Sequence, residues 1–91
     1  MTTTPLRVTA RGTPYTIQDL EAWNTYLAGV TTPEGLKKAR MMLLTGWEGM
    51  ASQIPFFPGS DEAREAWKAL NFRAYKLGFR WDGIFKRYAP I

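Results

Sequence analysis

The sequence predicts a mainly α protein: a small helical domain of three to four helices with a short N-terminal β element. Three observations carry this expectation. Ninety-one residues suit a single domain. Helix-opening signals stand at Thr16, Thr32 and Ser60, each followed by apolar residues three and four apart. Between the last two runs lies an apolar segment bounded by prolines, which no helix accommodates.

Residues 1–5 read as a flexible polar tail, and residues 6–15 as the β element. Leu6, Val8 and Ala10 alternate before Gly12, and Thr13-Pro14 leads out to Tyr15. Residues 16–51 read as two helices. In Thr16-Ile17-Gln18-Asp19 the hydroxyl can accept from a free backbone N–H while the acid reaches back. Ile17, Leu20, Trp23 and Leu27 then line one face, and Gly29 offers a left-handed end. Thr32-Pro33-Glu34 places a capping hydroxyl, a proline and an acid where the next helix wants them. Leu36, Ala39, Leu43, Trp47 and Met50 form its stripe, and Met41, Met42 and Leu44 widen it, which predicts burial on two sides. Core filling is the ordinary use of such methionines.

Residues 52–59 are the Pro/aromatic linker. Ile54, Phe56 and Phe57 there must be buried or bind something. Residues 60–91 are expected to be a basic helical segment. Ser60 caps it, and Ala63, Trp67, Leu70, Ala74 and Leu77 share its inner face. Gly78 is a stop, and Trp81, Ile84, Phe85 and Tyr88 suggest a short last helix before Pro90. The expected core is Leu20, Trp23, Leu27, Leu36, Leu43, Trp47, Phe56, Trp67, Leu70 and Ala74.

Composition argues against catalysis. There is no Cys and no His, so no thiolate, disulfide framework, usual proton shuttle or commonest metal ligand. Glu34, Asp61 and Glu62 sit where helix starts favour acids, Glu65 follows them, and Glu48 has no obvious partner. Ser52 and Ser60 lack a base in any recognisable motif. Gly46-Trp47-Glu48-Gly49 is too short to cradle a phosphate. The expectation is a non-enzyme with no cofactor and no metal. The longest strongly apolar run, residues 41–44, is far short of the roughly 20 residues of a membrane span. No apolar signal core opens the chain, which favours a cytoplasmic protein without a membrane partner.

The net charge of +4 is unevenly placed. Residues 1–63 carry a net −1, and residues 64–91 a net +5. Such a basic third calls for an anionic partner. At about 100° per helical residue, Phe72 points away from the apolar face. Lys68 and Lys76 flank it, with Tyr75 beside them, and Arg73, Lys76 and Arg80 form an adjoining stripe. Lys86 and Arg87 extend the charge. A basic patch holds phosphates, and an aromatic within it stacks on an unpaired base. Lys68, Phe72, Arg73, Tyr75, Lys76, Arg80, Lys86 and Arg87 are therefore the candidate contacts for RNA or for a partner protein. The alternative fate of Phe72 is burial under Trp81 or Phe85.

The stretch Gly46-Trp47-Glu48-Gly49, Ile54-Pro55-Phe56 and Gly59-Ser60-Asp61-Glu62-Ala63-Arg64-Glu65-Ala66-Trp67 resembles the ribosome-modulation-factor family of small bacterial and phage proteins. The likeness spans residues 46–75, and Leu70-Asn71-Phe72 stands where that family carries a Gly-aromatic pair. It implies a helical, non-enzymatic protein that docks on ribosomal RNA and silences translation. A second reading is a phage or mobile-element inhibitor that docks on a host protein complex, in the host cytoplasm, and blocks it. The surplus of aromatics leaves a homodimer open. A helix-turn-helix over residues 16–44 is disfavoured because Gly35 falls where its second helix needs an apolar residue.

Overall fold

The computed structural model describes Val8, Gly12 and residues 14–45, 54–57 and 59–91. Three helices, α1 (Leu20–Ala28), α2 (Pro33–Thr45) and α3 (Asp61–Leu77), are followed by an antiparallel hairpin of β1 (Phe79–Asp82) and β2 (Arg87–Pro90). The protein is thus mainly α, but its sheet lies at the C-terminal end. Within the expected N-terminal element the described pairing is one isolated bridge, Val8 to Pro14.

Asp19, not Thr16, caps α1: its carboxylate accepts from the Ala22 N–H at 2.8 Å. Asp caps at least as well as Thr, and starting there still aligns Trp23 and Leu27 inward. Ile17, left just outside the helix, is buried all the same. Gly29 ends α1 in a right-handed conformation (φ −88°), contrary to the expected left-handed cap. A left-handed cap is unnecessary because Arg73 supplies donors to the carbonyls of Ala28 and Val30.

Thr32 caps α2 as expected, accepting from the Gly35 N–H at 3.0 Å. Gly35 has a packing reason to be glycine: a Cβ there would sit 3.1 Å from Val30 Cγ1 and 3.2 Å from the Thr32 hydroxyl. Leu36, Ala39, Met42 and Leu43 are buried, while Met41 and Leu44 are about half exposed. The two-sided burial expected of α2 therefore fails for these two residues. The helix packs on α3 and β2.

Ile54 and Phe56 enter the core, whereas Phe57 stays exposed. Ser60 then caps α3, accepting from the Ala63 N–H at 3.1 Å. Ala63, Ala66 and Ala74 are buried on the inner face of α3 beside Leu70. Their small side chains let α1 approach so closely that the Trp23 indole N–H donates to the Ala66 carbonyl at 3.0 Å. That bond satisfies the polar edge of the largest buried side chain.

Gly78 closes α3 in the left-handed region (φ +86°), where glycine alone avoids a Cβ penalty. Its N–H caps the carbonyls of Ala74 and Tyr75. The chain beyond is a hairpin rather than the expected fourth helix, so the basic helical segment stops at Leu77. Trp81 and Tyr88 are direct cross-strand partners, with ring centroids 5.1 Å apart in a T-shape. Their separation had the look of helical spacing, but aromatic pairs of this kind stabilise strands. Phe79 and Trp81 face the helices, and Arg80 and Asp82 alternate outward.

The core joins α1, α2 and α3 with Ile54, Phe56 and Tyr88. Of the expected core, Trp23, Leu27, Leu36, Leu43, Phe56, Leu70 and Ala74 are buried, and Leu20 and Trp67 are partly buried. Trp47 lies outside the described residues.

Candidate functional site

The outer face of α3 places Lys68, Phe72 and Lys76 one turn apart, because residues four apart stack on one side of a helix. Phe72 is 63% exposed. Neither residue expected to bury it does so. Trp81 packs against Tyr88 and Arg40, and Phe85 is itself 69% exposed. Tyr75, also on the outer side, is exposed as well. The Lys76 ammonium lies 5.4 Å from the Phe72 ring centroid, a cation–π contact at an exposed site. Lys68 pairs with Glu65 at 3.4 Å on the same helix. Such an exposed pair contributes about 0–1 kcal/mol, so it yields readily to a competing phosphate.

Arg73 also has a structural role. Its guanidinium turns to the end of α1, donating from Nε to the Val30 carbonyl at 3.0 Å and from Nη2 to the Ala28 carbonyl at 3.2 Å. It clamps α3 to α1 and neutralises the negative end of the α1 dipole. The +1 charge stays near the ridge, while two of its five N–H donors hold the fold.

Between α1 and α3 runs an open groove with two adjoining hollows, of about 430 and 190 Å³. Both are lined by Asn24, Ala69 and Phe72. Glu65 and Lys68 border the larger, and Arg73 and Lys76 the smaller. The small Ala69 side chain leaves the space, and the Phe72 ring forms a wall. Sequence reasoning missed Asn24. It sits on α1, where its polarity reads as an ordinary solvent-facing position, and only helix packing sets it across from Phe72.

Arg80, Lys86 and Arg87 belong to a second cluster, on the hairpin. One Asp82 carboxylate oxygen accepts from the N–H groups of Ile84 and Phe85, at 2.9 and 3.2 Å, and fixes the turn. Lys86 takes a positive φ of 56° to complete it. Ile84 and Phe85 are left 86% and 69% exposed at the tip. Arg87 faces Asp82 across the strands, and its guanidinium carbon lies 5.5 Å from the Phe85 ring centroid. The candidate residues thus form a ridge on α3 and a basic tip on the hairpin.

Arg40 was also missed. Its guanidinium carbon lies 5.0 Å from the centroid of the Trp67 ring and 4.1 Å from that of the Trp81 ring. This arginine joins α2 to α3 and β1 through aromatic faces. The Tyr88 hydroxyl beside it is buried with no hydrogen-bond partner of good geometry among the described residues. Burial raises the Tyr88 pKa above the ordinary phenol value, and the neighbouring Arg40 opposes that shift.

Among the described residues no three His, Cys, Asp or Glu side chains gather to hold a metal ion. Glu65 pairs with Lys68, and Asp61 with Arg64 at 3.7 Å. No helix of the described residues is long and apolar enough to cross a membrane. The chain matches no protein-family model, no curated protein and no solved structure.

Proposed function

We propose that this chain is a non-enzymatic RNA-binding protein that associates with the ribosome and uses the outer face of α3. The observation that carries the reading is Phe72, 63% exposed between Lys68 and Lys76 on the wall of an open groove. A small domain needs its aromatic rings for the core, so leaving this one in solvent forgoes burial worth about 1.5–3 kcal/mol. Stacking on an unpaired base returns about 1–3 kcal/mol, and the two lysines hold the flanking phosphates. RNA loops and ends offer such bases. The ribosome enters through the resemblance of residues 46–75, and the cytoplasm is where that partner is met.

Binding of a single-stranded RNA oligomer, followed by fluorescence anisotropy across a salt series, tests the proposal. Two to four phosphate contacts predict that log K falls with log salt at a slope of roughly −1.4 to −2.8. Lys76→Ala should flatten that slope, and Phe72→Ala should weaken binding about 5- to 150-fold. No binding at low salt, or binding indifferent to salt, would refute it.

The hairpin tip favours a second reading, an inhibitor that docks on a host protein complex. Ile84 and Phe85 are presented by a pinned turn, with Arg80, Lys86 and Arg87 around them. A preorganised apolar anchor with an arginine rim suits an interface hot spot. Here a nuclease-treated bacterial lysate should yield one stoichiometric partner. The Ile84→Ser/Phe85→Ser variant should lose it while keeping its RNA affinity.

A further inference from the structure

We infer that the groove between α1 and α3 accepts one unpaired adenine base, whose edge is read by Asn24 while Phe72 stacks on its face. This rests on the RNA reading above and goes beyond it by naming the base. The larger hollow, about 430 Å³, is open to solvent, so a base would lie against the Phe72 wall with its outer edge still hydrated. Its polar lining is what selects the base. The Asn24 amide, on the lining of that hollow, offers a donor and an acceptor side by side. Glu65 offers acceptors only.

That combination favours an edge with an amino group beside a ring nitrogen. Adenine presents N6–H next to N7, the pair an asparagine contacts bidentately. Guanine and uracil place a carbonyl oxygen where adenine or cytosine has its amino group, and this meets the Glu65 carboxylate unfavourably. Cytosine shares the amino group but offers a smaller face to Phe72. The lysines do not reverse the choice: Lys76 lies over the Phe72 ring, and Lys68, on leaving its exposed pair for a phosphate, frees the Glu65 carboxylate to accept from the amino group.

The same base could come from RNA or from a free adenine nucleotide. The neighbouring lysines lie a helical turn either side of Phe72, a span suited to consecutive phosphates of a strand. Anisotropy competition with oligo(A), oligo(C), oligo(U) and AMP separates these cases. Oligo(A) should bind about 5- to 150-fold more tightly than oligo(U), the discrimination of a good bidentate contact. Asn24→Ala should reduce that preference to within about twofold while oligo(U) affinity is retained; circular dichroism should show an unchanged fold, since alanine suits an exposed helix position. Equal affinity for oligo(A) and oligo(U), or a preference that survives Asn24→Ala, would overturn the inference and leave the RNA reading standing. AMP binding as tightly as oligo(A) would overturn the RNA source. If no oligomer binds, the RNA reading itself falls.

Discussion

Replacing Arg73 by alanine separates a structural clamp from a nucleic-acid contact. In the folded protein its guanidinium makes two hydrogen bonds, to Val30 at 3.0 Å and to Ala28 at 3.2 Å. A hydrogen bond to a charged group contributes about 1.5–3 kcal/mol when shielded. The Val30 bond is partly buried and the Ala28 bond exposed, so the first counts near the bottom of that range and the second for less. Adding the interaction with the end of α1, about 0.3–1 kcal/mol, gives a loss of about 2–3 kcal/mol. Urea unfolding followed by tryptophan fluorescence measures it. With a slope near 1 kcal/mol/M for so small a domain, the midpoint should fall by about 2–3 M at unchanged slope. RNA affinity of the folded variant should fall much less than for Lys76→Ala. A midpoint unchanged within about 0.3 M, together with a tenfold loss of RNA affinity, would refute the clamp and restore Arg73 to the ligand.

Three further outcomes follow from the geometry. Gly78→Ala, at φ +86°, should cost about 1–2 kcal/mol and lower the melting temperature by several degrees, because a Cβ is strained in the left-handed region. Trp23→Phe should cost about 2–3 kcal/mol, read in the same urea titration, since it removes the buried indole N–H bond to the Ala66 carbonyl and leaves part of the core empty. Tyr88→Phe should leave stability at pH 7 unchanged or raise it by up to ~1 kcal/mol, because the hydroxyl is buried without a good partner. Its pH dependence has a definite sign. The folded-state pKa lies above the unfolded value near 10, so the unfolded chain loses its proton first. The stability contributed by neutral Tyr88 is therefore present below pH 10 and lost as pH rises through the folded pKa, and a wild-type minus Tyr88→Phe difference should show this alkaline loss.

Local signals located much of this molecule. Thr32 and Ser60 cap the helices they were expected to cap, and Gly78 ends α3 in a left-handed turn, because capping and φ depend on neighbours in sequence. The α3 periodicity likewise put Phe72 outside and Leu70 inside. The errors came where two local answers were nearly equal. Asp19 and Thr16 both make good caps, and α1 starts from Asp19. Trp81 and Tyr88 fit a helix by spacing and a hairpin by pairing. The choice fell to strand pairing and contact with the helices, which no short window contains.

What the amino-acid sequence determined by itself is the α character, the missing His and Cys chemistry, and a basic last third carrying an outward aromatic. Tertiary structure decided how that charge is used. It drew Arg73 inward because two carbonyls at the end of α1 needed donors, and divided the remaining cations between a helix ridge and a hairpin tip. It also set Asn24, far from Phe72 in sequence, across a groove from it. Side-chain spacing along one helix is a property of the chain; a groove between two helices exists only once their buried faces have met.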